Sequence, residues 1–129
     1  MGYYACGSGS ATLKLNIDTD ALSNIFNNII AKNSCYMEYD IDTKINTISF
    51  WETDSHWHEE NTMDFLNALI PYIDSGSAIY DGEDDCHWRY QLINGEWIDQ
   101  PGTIYYATDD MIKDLEEQGF KVINTSKMF

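Results

Sequence analysis

Basic residues are scarce in this chain. Seven Lys and Arg stand against twenty-two Asp and Glu, a formal net charge of −15 over 129 residues. Binding DNA or RNA through phosphates takes a basic face, and only Lys14, Lys32, Lys44, Arg89, Lys113, Lys121 and Lys127 are there to build one. Direct nucleic-acid contact and attachment to an anionic membrane are both disfavoured. Cysteine is also sparse. Cys6, Cys35 and Cys86 are an odd number with no CxxC pair, which argues against a disulfide framework and against a cysteine-rich zinc site. No apolar run approaches the roughly 20 residues of a membrane span, and the N-terminus lacks the basic-then-apolar pattern of a secretory signal. "MGYYAC" offers the Gly2 that myristoylation needs, but Cys6 stands where Ser or Thr is required. These absences lead to the expectation of a soluble protein in a reducing cytoplasm.

Catalytic signatures are missing as well. There is no GxSxG and no HExxH, and Gly7 and Gly9 are not followed by the third glycine of a phosphate loop. Cys86 lies among carboxylates, which raise a thiol pKa and make it a poor nucleophile. "DIDTKINTISFW" starts like a calcium loop at Asp40 and Asp42, then puts Lys44 where an oxygen ligand belongs and Ile45 where the glycine should be. Acids suited to glycoside hydrolysis abound but sit in no recognisable context. The reading is non-enzymatic, with no cofactor.

What is present is pattern. The 43% apolar fraction suits a globular core, and the length suits one domain. Residues 1–10, ending in "GSGS", are expected to be flexible, with a single domain over 11–129. "ATLKLNI" alternates, so Leu13, Leu15 and Ile17 should face a core. Asp18 or Thr19 can cap a helix carrying Leu22, Ile25, Phe26, Ile29 and Ile30, ending near Asn33. "CYMEYDID" and "TISFWE" form a hairpin. "TDSHWHEEN" is a polar loop that should leave Trp57 exposed, and a second helix follows with Met63, Leu66, Leu69, Ile70 and Ile73, which Pro71 should kink or end near Leu69. "DSGS" reads as a turn, "AIYD" and "CHWRYQLI" as strands, and Asn94-Gly95 as a type I′ turn into "EWID". "PG" turns again and "TIYYA" extends. Thr108 caps a third helix closed by Gly119, and "FKVIN" is a final short strand. The resulting β-α-β-β-α-β-β-β-α-β order predicts an α+β fold, an antiparallel-rich sheet with two to three helices packed on one face.

Two readings of the polar residues compete. In the first, Glu38, Asp40 and Asp42 line the outward face of one strand about 6.7 Å apart, twice the rise per residue, a spacing comparable to successive phosphates. Glu59, Glu60, Asp81, Glu83, Asp84 and Asp85 are expected to extend the negative surface, as is "DDMIKDLEE" beyond Thr108, and Trp57 supplies an anchor. Arg89 should pair with acids on a neighbouring strand. In the second, His56, His58 and His87 converge with a carboxylate on a metal such as zinc, as a hydrolase or a structural metal site. HxH spacing is unspecific, and His87 alternates away from Cys86, so this is the alternative.

"IPYIDSGSAIYDGEDDCHWRYQLINGEWIDQPGTIYY", residues 70–106, resembles a pattern in small uncharacterised proteins of bacteria and their phages. In those, a helix leads to a strand, a Gly-Glu-Asp turn, a Trp-Arg-Tyr strand and an Asn-Gly or Asp-Gly hairpin. The resemblance implies an α+β fold, a phage or mobile-element origin and a bacterial cytoplasm. In size and charge the chain is similar to anti-CRISPR proteins and DNA mimics. The expected partner is therefore a basic host protein, a CRISPR effector or another nucleic-acid-handling protein, contacted through the carboxylates.

Overall fold

A computed structural model describes residues 3–33, 36–102 and 108–122. The elements are β1 (Ala5–Leu13), α1 (Thr19–Asn33), β2 (Met37–Asp42), β3 (Thr47–Asp54), α2 (Glu59–Leu69), β4 (Ile73–Gly82), β5 (His87–Ile93), β6 (Glu96–Gly102) and α3 (Asp109–Glu117). Single 3-10 turns fall at Ile70–Tyr72 and Glu83–Asp85. The six strands form one sheet in the order β2-β3-β1-β4-β5-β6, antiparallel throughout. The fold is α+β. Its first six elements, with strands ordered β2-β3-β1-β4, have the split β-α-β layout of ferredoxin-like folds, and the β5–β6 hairpin widens the sheet beyond β4. That layout hosts many unrelated functions, so it assigns none.

Local chemistry explains the boundaries. The Asp18 carboxylate accepts the backbone N–H groups of Asp20 and Ala21 and so starts α1. Pro71 ends α2 after Leu69. Asn94 and Gly95, at φ 52° and 79°, make the tight β5–β6 turn. The Thr108 hydroxyl accepts the Met111 N–H at the start of α3.

One face of the sheet carries α1 and α2. Leu22 and Phe26 from α1 and Phe65, Leu66 and Leu69 from α2 pack on Ile48, Phe50, Ala78, Tyr80, Tyr90 and Trp97, all buried. The Trp97 indole N–H donates to the Leu66 carbonyl at 2.6 Å and ties α2 to β6. Among the described residues no helix or strand packs on the other face of the sheet. None of the residues of α3 is buried.

Four expectations are corrected. The glycine-serine stretch within residues 1–10 is not a flexible leader from Ala5 onward. It is part of a central strand, because the Tyr80 ring lies so close to Gly7 that a Cβ there would be 2.5 Å from it. "DSGS" is not a turn but the first half of β4, with Gly76 beneath the Trp97 ring. Pro101 and Gly102 do not turn the chain; they finish β6, an edge strand where the missing proline N–H costs no ladder bond. Because β1 stops at Leu13, Leu15 is exposed rather than core. Cys35, "TIYYA" and the end of "FKVIN" lie outside the described residues.

Candidate functional site

The start of β1 gathers two acidic segments that are distant in sequence. The Tyr3 carbonyl accepts the Trp57 N–H at 2.8 Å, which draws in the loop before α2. The Tyr4 N–H donates to the Glu83 carboxylate at 2.6 Å, and the Glu83 N–H returns to the Tyr4 carbonyl at 3.2 Å. Aromatic rings fill the space between. Trp57 lies 5.2 Å from Trp88, 6.1 Å from Tyr80 and 6.2 Å from Tyr3, ring centre to ring centre. Trp57 is therefore half-buried, against the expectation of exposure. In a polar loop, tertiary contacts that sequence alone does not reveal decide where a tryptophan goes.

The result is an acidic rim at one end of the sheet, built by Glu59 and Glu60 at the start of α2, Asp81 at the end of β4, and Glu83, Asp84 and Asp85 in the turn. Asp84 and Asp85 adopt left-handed φ of 58° and 60°, a conformation Asp tolerates better than most residues. Glu59 accepts the Tyr90 hydroxyl at 3.2 Å.

Glu38, Asp40 and Asp42 are on β2, on the open face, as the alternation predicted. Glu38 also accepts the Trp51 indole N–H at 2.7 Å. Three strand spacings, about 14 Å, separate β2 from β4. The ten residues expected to bind a partner thus fall into two patches, rim and stripe, rather than one field. The floor between them is lined by small hydroxyls, Ser8, Ser10 and Ser49 among them.

The histidines do not converge. His56 sits in its loop with its N–H on Asp54 and its ring near Ser55, and His58 precedes α2. His87 spans two carboxylates: Nδ1 lies 2.7 Å from Asp81 and Nε2 2.7 Å from Asp85. Among the described residues no three His, Cys, Asp or Glu are placed to share a metal ion, so the metal reading is not carried further. A neutral imidazole has one N–H and cannot donate to both acids, so this geometry takes the imidazolium. The hydrogen bond to Asp81, then that to Asp85, holds the His87 pKa above its usual value. The stabilisation that His87 contributes is full below about pH 6.5, the unfolded value, and is lost as pH rises through the raised folded value. An NMR titration is expected to place the His87 midpoint above the ordinary histidine value of about 6.5, and to lower it in Asp81→Asn. A midpoint at the ordinary value would refute the double anchor.

Arg89 corrects a further expectation. Its guanidinium donates to the neutral Gln100 side chain, not to an acid. Among the described residues the only ion pairs within 4.0 Å are those of His87. Among those residues, neither stripe nor rim is therefore paired with a Lys or Arg.

Beneath the rim lies a buried group absent from the expectations. Glu52, 1% exposed, takes the Thr62 hydroxyl at 2.6 Å and the Tyr80 hydroxyl at 2.8 Å on Oε1, and Thr62 in turn accepts the Trp57 indole N–H at 2.8 Å. Oε2 is buried with no partner. Burial raises the Glu52 pKa, against the lowering effect of the hydrogen bonds from Thr62 and Tyr80. The signal was available in the alternation: Ile48, Phe50, Glu52 and Asp54 share one face of β3.

No helix of the described residues is long and apolar enough to cross a membrane. Compared with family models, with curated proteins and with solved structures, the chain matches none.

Proposed function

We propose that the chain is a non-enzymatic acidic binding protein whose carboxylates occupy a basic, nucleic-acid-binding site on a bacterial host protein, in the manner of an anti-CRISPR protein or DNA mimic. The observation that carries this reading is the absence, among the described residues, of any Lys or Arg ion pair with the acids of rim or stripe. An acid already paired has little left to offer a cation. Unpaired carboxylates held by ordered backbone keep their field and steer a basic partner. The rim is the stronger patch, because Glu60, Glu83 and Asp84 are exposed on segments pinned to Tyr3 and Tyr4, while Asp81 and Asp85 are engaged by His87.

The test is competition. A basic nucleic-acid-binding effector is loaded with labelled single-stranded nucleic acid, and the chain is added. Displacement is expected, with Glu60→Lys combined with Asp84→Asn weakening it by about tenfold. A ternary complex, or displacement unchanged by the two substitutions, would count against the rim.

A further inference from the structure

The cross-strand registers place one row of side chains straight across the open face: Glu38 on β2, Trp51 on β3, Ser8 on β1, Ile79 on β4, Arg89 on β5 and Gln100 on β6. Two members of this row are otherwise unexplained. Trp51 is 43% exposed, its ring steadied by Glu38. Arg89, in a chain with three times as many acids as bases, meets only the amide of Gln100 among the described residues. They stand at equal distances on opposite sides of the sheet's midline, which runs between β1 and β4. Each is one and a half strand spacings from it, about 7 Å.

From this we infer that the open face binds a second copy of the chain about a two-fold axis parallel to the strands. Such an axis exchanges left and right across the sheet and leaves the height along the strands unchanged. It lays Arg89 of each copy over Trp51 of the other, a cation–π contact, with Glu38 beside the same guanidinium. Ser8 comes over Ile79, and the Ser8 side of each copy is low: a recess of about 220 Å³ lies there, lined by Cys6, Gly7, Ser8, Thr53, Ile79 and Asp81. The next row, with Ser49, Ser10 and Ser77 at its centre, lets the sheets approach without obstruction. The interface is isologous, so each Glu38–Trp51–Arg89 contact forms twice.

Magnitudes set the strength. Six strands at about 4.8 Å spacing and a shared length of about 20 Å give a footprint of roughly 500 Å² per copy, near the lower limit of specific interfaces. Two chains of charge −15 also repel, and Asp42 of each copy faces Glu96 of the other, at two corners of the interface. The dimer is therefore concentration-dependent, and salt strengthens it by screening the net repulsion. The axis brings both acidic rims to the same end. The pairing itself does not depend on whether the rim binds a basic partner.

Sedimentation equilibrium over a wide concentration range tests this. The weight-average mass is expected to rise toward two chains, more readily at higher salt. Arg89→Glu is expected to weaken association at least about tenfold, as is Trp51→Thr, with amide NMR spectra showing that both remain folded. Arg89→Glu joined to Glu38→Arg restores the ion pair with charges exchanged, though not the cation–π contact, and should recover part of the association, whereas Arg89→Glu joined to Asp20→Arg on α1, which restores only the net charge, should not. A monomer at every concentration, or dimers insensitive to Arg89→Glu and Trp51→Thr, overturns the inference. These outcomes are read without any partner protein, so they are distinct from those of the displacement test.

Discussion

Gly9→Ala is expected to destabilise the protein by about 3 kcal/mol or more, although it adds a single methyl group. A Cβ at Gly9 would lie 2.5 Å from the Ser77 carbonyl oxygen, 2.6 Å from the Ala78 Cβ and 2.7 Å from the Phe50 ring. Two of those atoms belong to the backbone or the first side-chain carbon of β4, so no rotamer change relieves them. The third is the tip of a buried ring in the packed core between β3 and α2. Relief takes separation of β1 from β4 at the middle of the sheet. Gly95→Ala is the contrast. Nothing lies within 4 Å of the added carbon, and only the left-handed backbone at φ 79° opposes it, a smaller cost of about 1 kcal/mol. Urea unfolding of the two variants checks the order, and a Gly9→Ala protein as stable as the parent would show that the close approach is wrong.

Replacing Glu52 has the second large effect. Glu52→Ala removes the acceptor shared by the Thr62 and Tyr80 hydroxyls, both on fully buried side chains. Each orphaned hydroxyl costs about 1–3 kcal/mol, and the cavity adds to that, so a total of about 3–5 kcal/mol is expected. Glu52→Gln keeps an acceptor oxygen and removes the charge. Because the folded pKa of Glu52 is raised, its contribution to stability is full below about pH 4.3, the unfolded value, and is lost as pH climbs through the folded value. The parent should therefore lose stability over that interval and Glu52→Gln should lose less. Stability measured by urea unfolding across the pH range decides it. Identical pH profiles would mean that Glu52 titrates as an ordinary surface acid.

Much of this fold was legible because its signals are local. The Asn94-Gly95 turn, the stop at Pro71, the Thr108 cap and the inward Met37, Tyr39 and Ile41 each follow from a few adjacent residues. The outward stripe of Glu38, Asp40 and Asp42 came from the same alternation. What misled was glycine and serine. "GSGS" and "DSGS" have the composition of linkers and turns, yet Gly7 and Gly76 sit in strands because the Tyr80 and Trp97 rings need the room. A glycine that makes way for a ring from another strand has no local signature. The rim was half legible. The sequence showed its acids and its aromatics, but only pairing to Tyr3 and Tyr4 brings residues 57 to 60 against residues 81 to 88, and that is a long-range event. Arg89 was expected to meet an acid across the strands and meets Gln100, because the register, not the composition, selects its neighbour.

The central claim is that unpaired carboxylates, held in place by the fold, carry the binding. Affinity for a basic nucleic-acid-handling protein, measured as salt is raised from low to well above physiological, tests it most directly. A steep, continuous fall is predicted, with a shallower slope for Glu60→Lys combined with Asp84→Asn. An affinity that stays level across the series, or a slope the two substitutions leave unchanged, would contradict it.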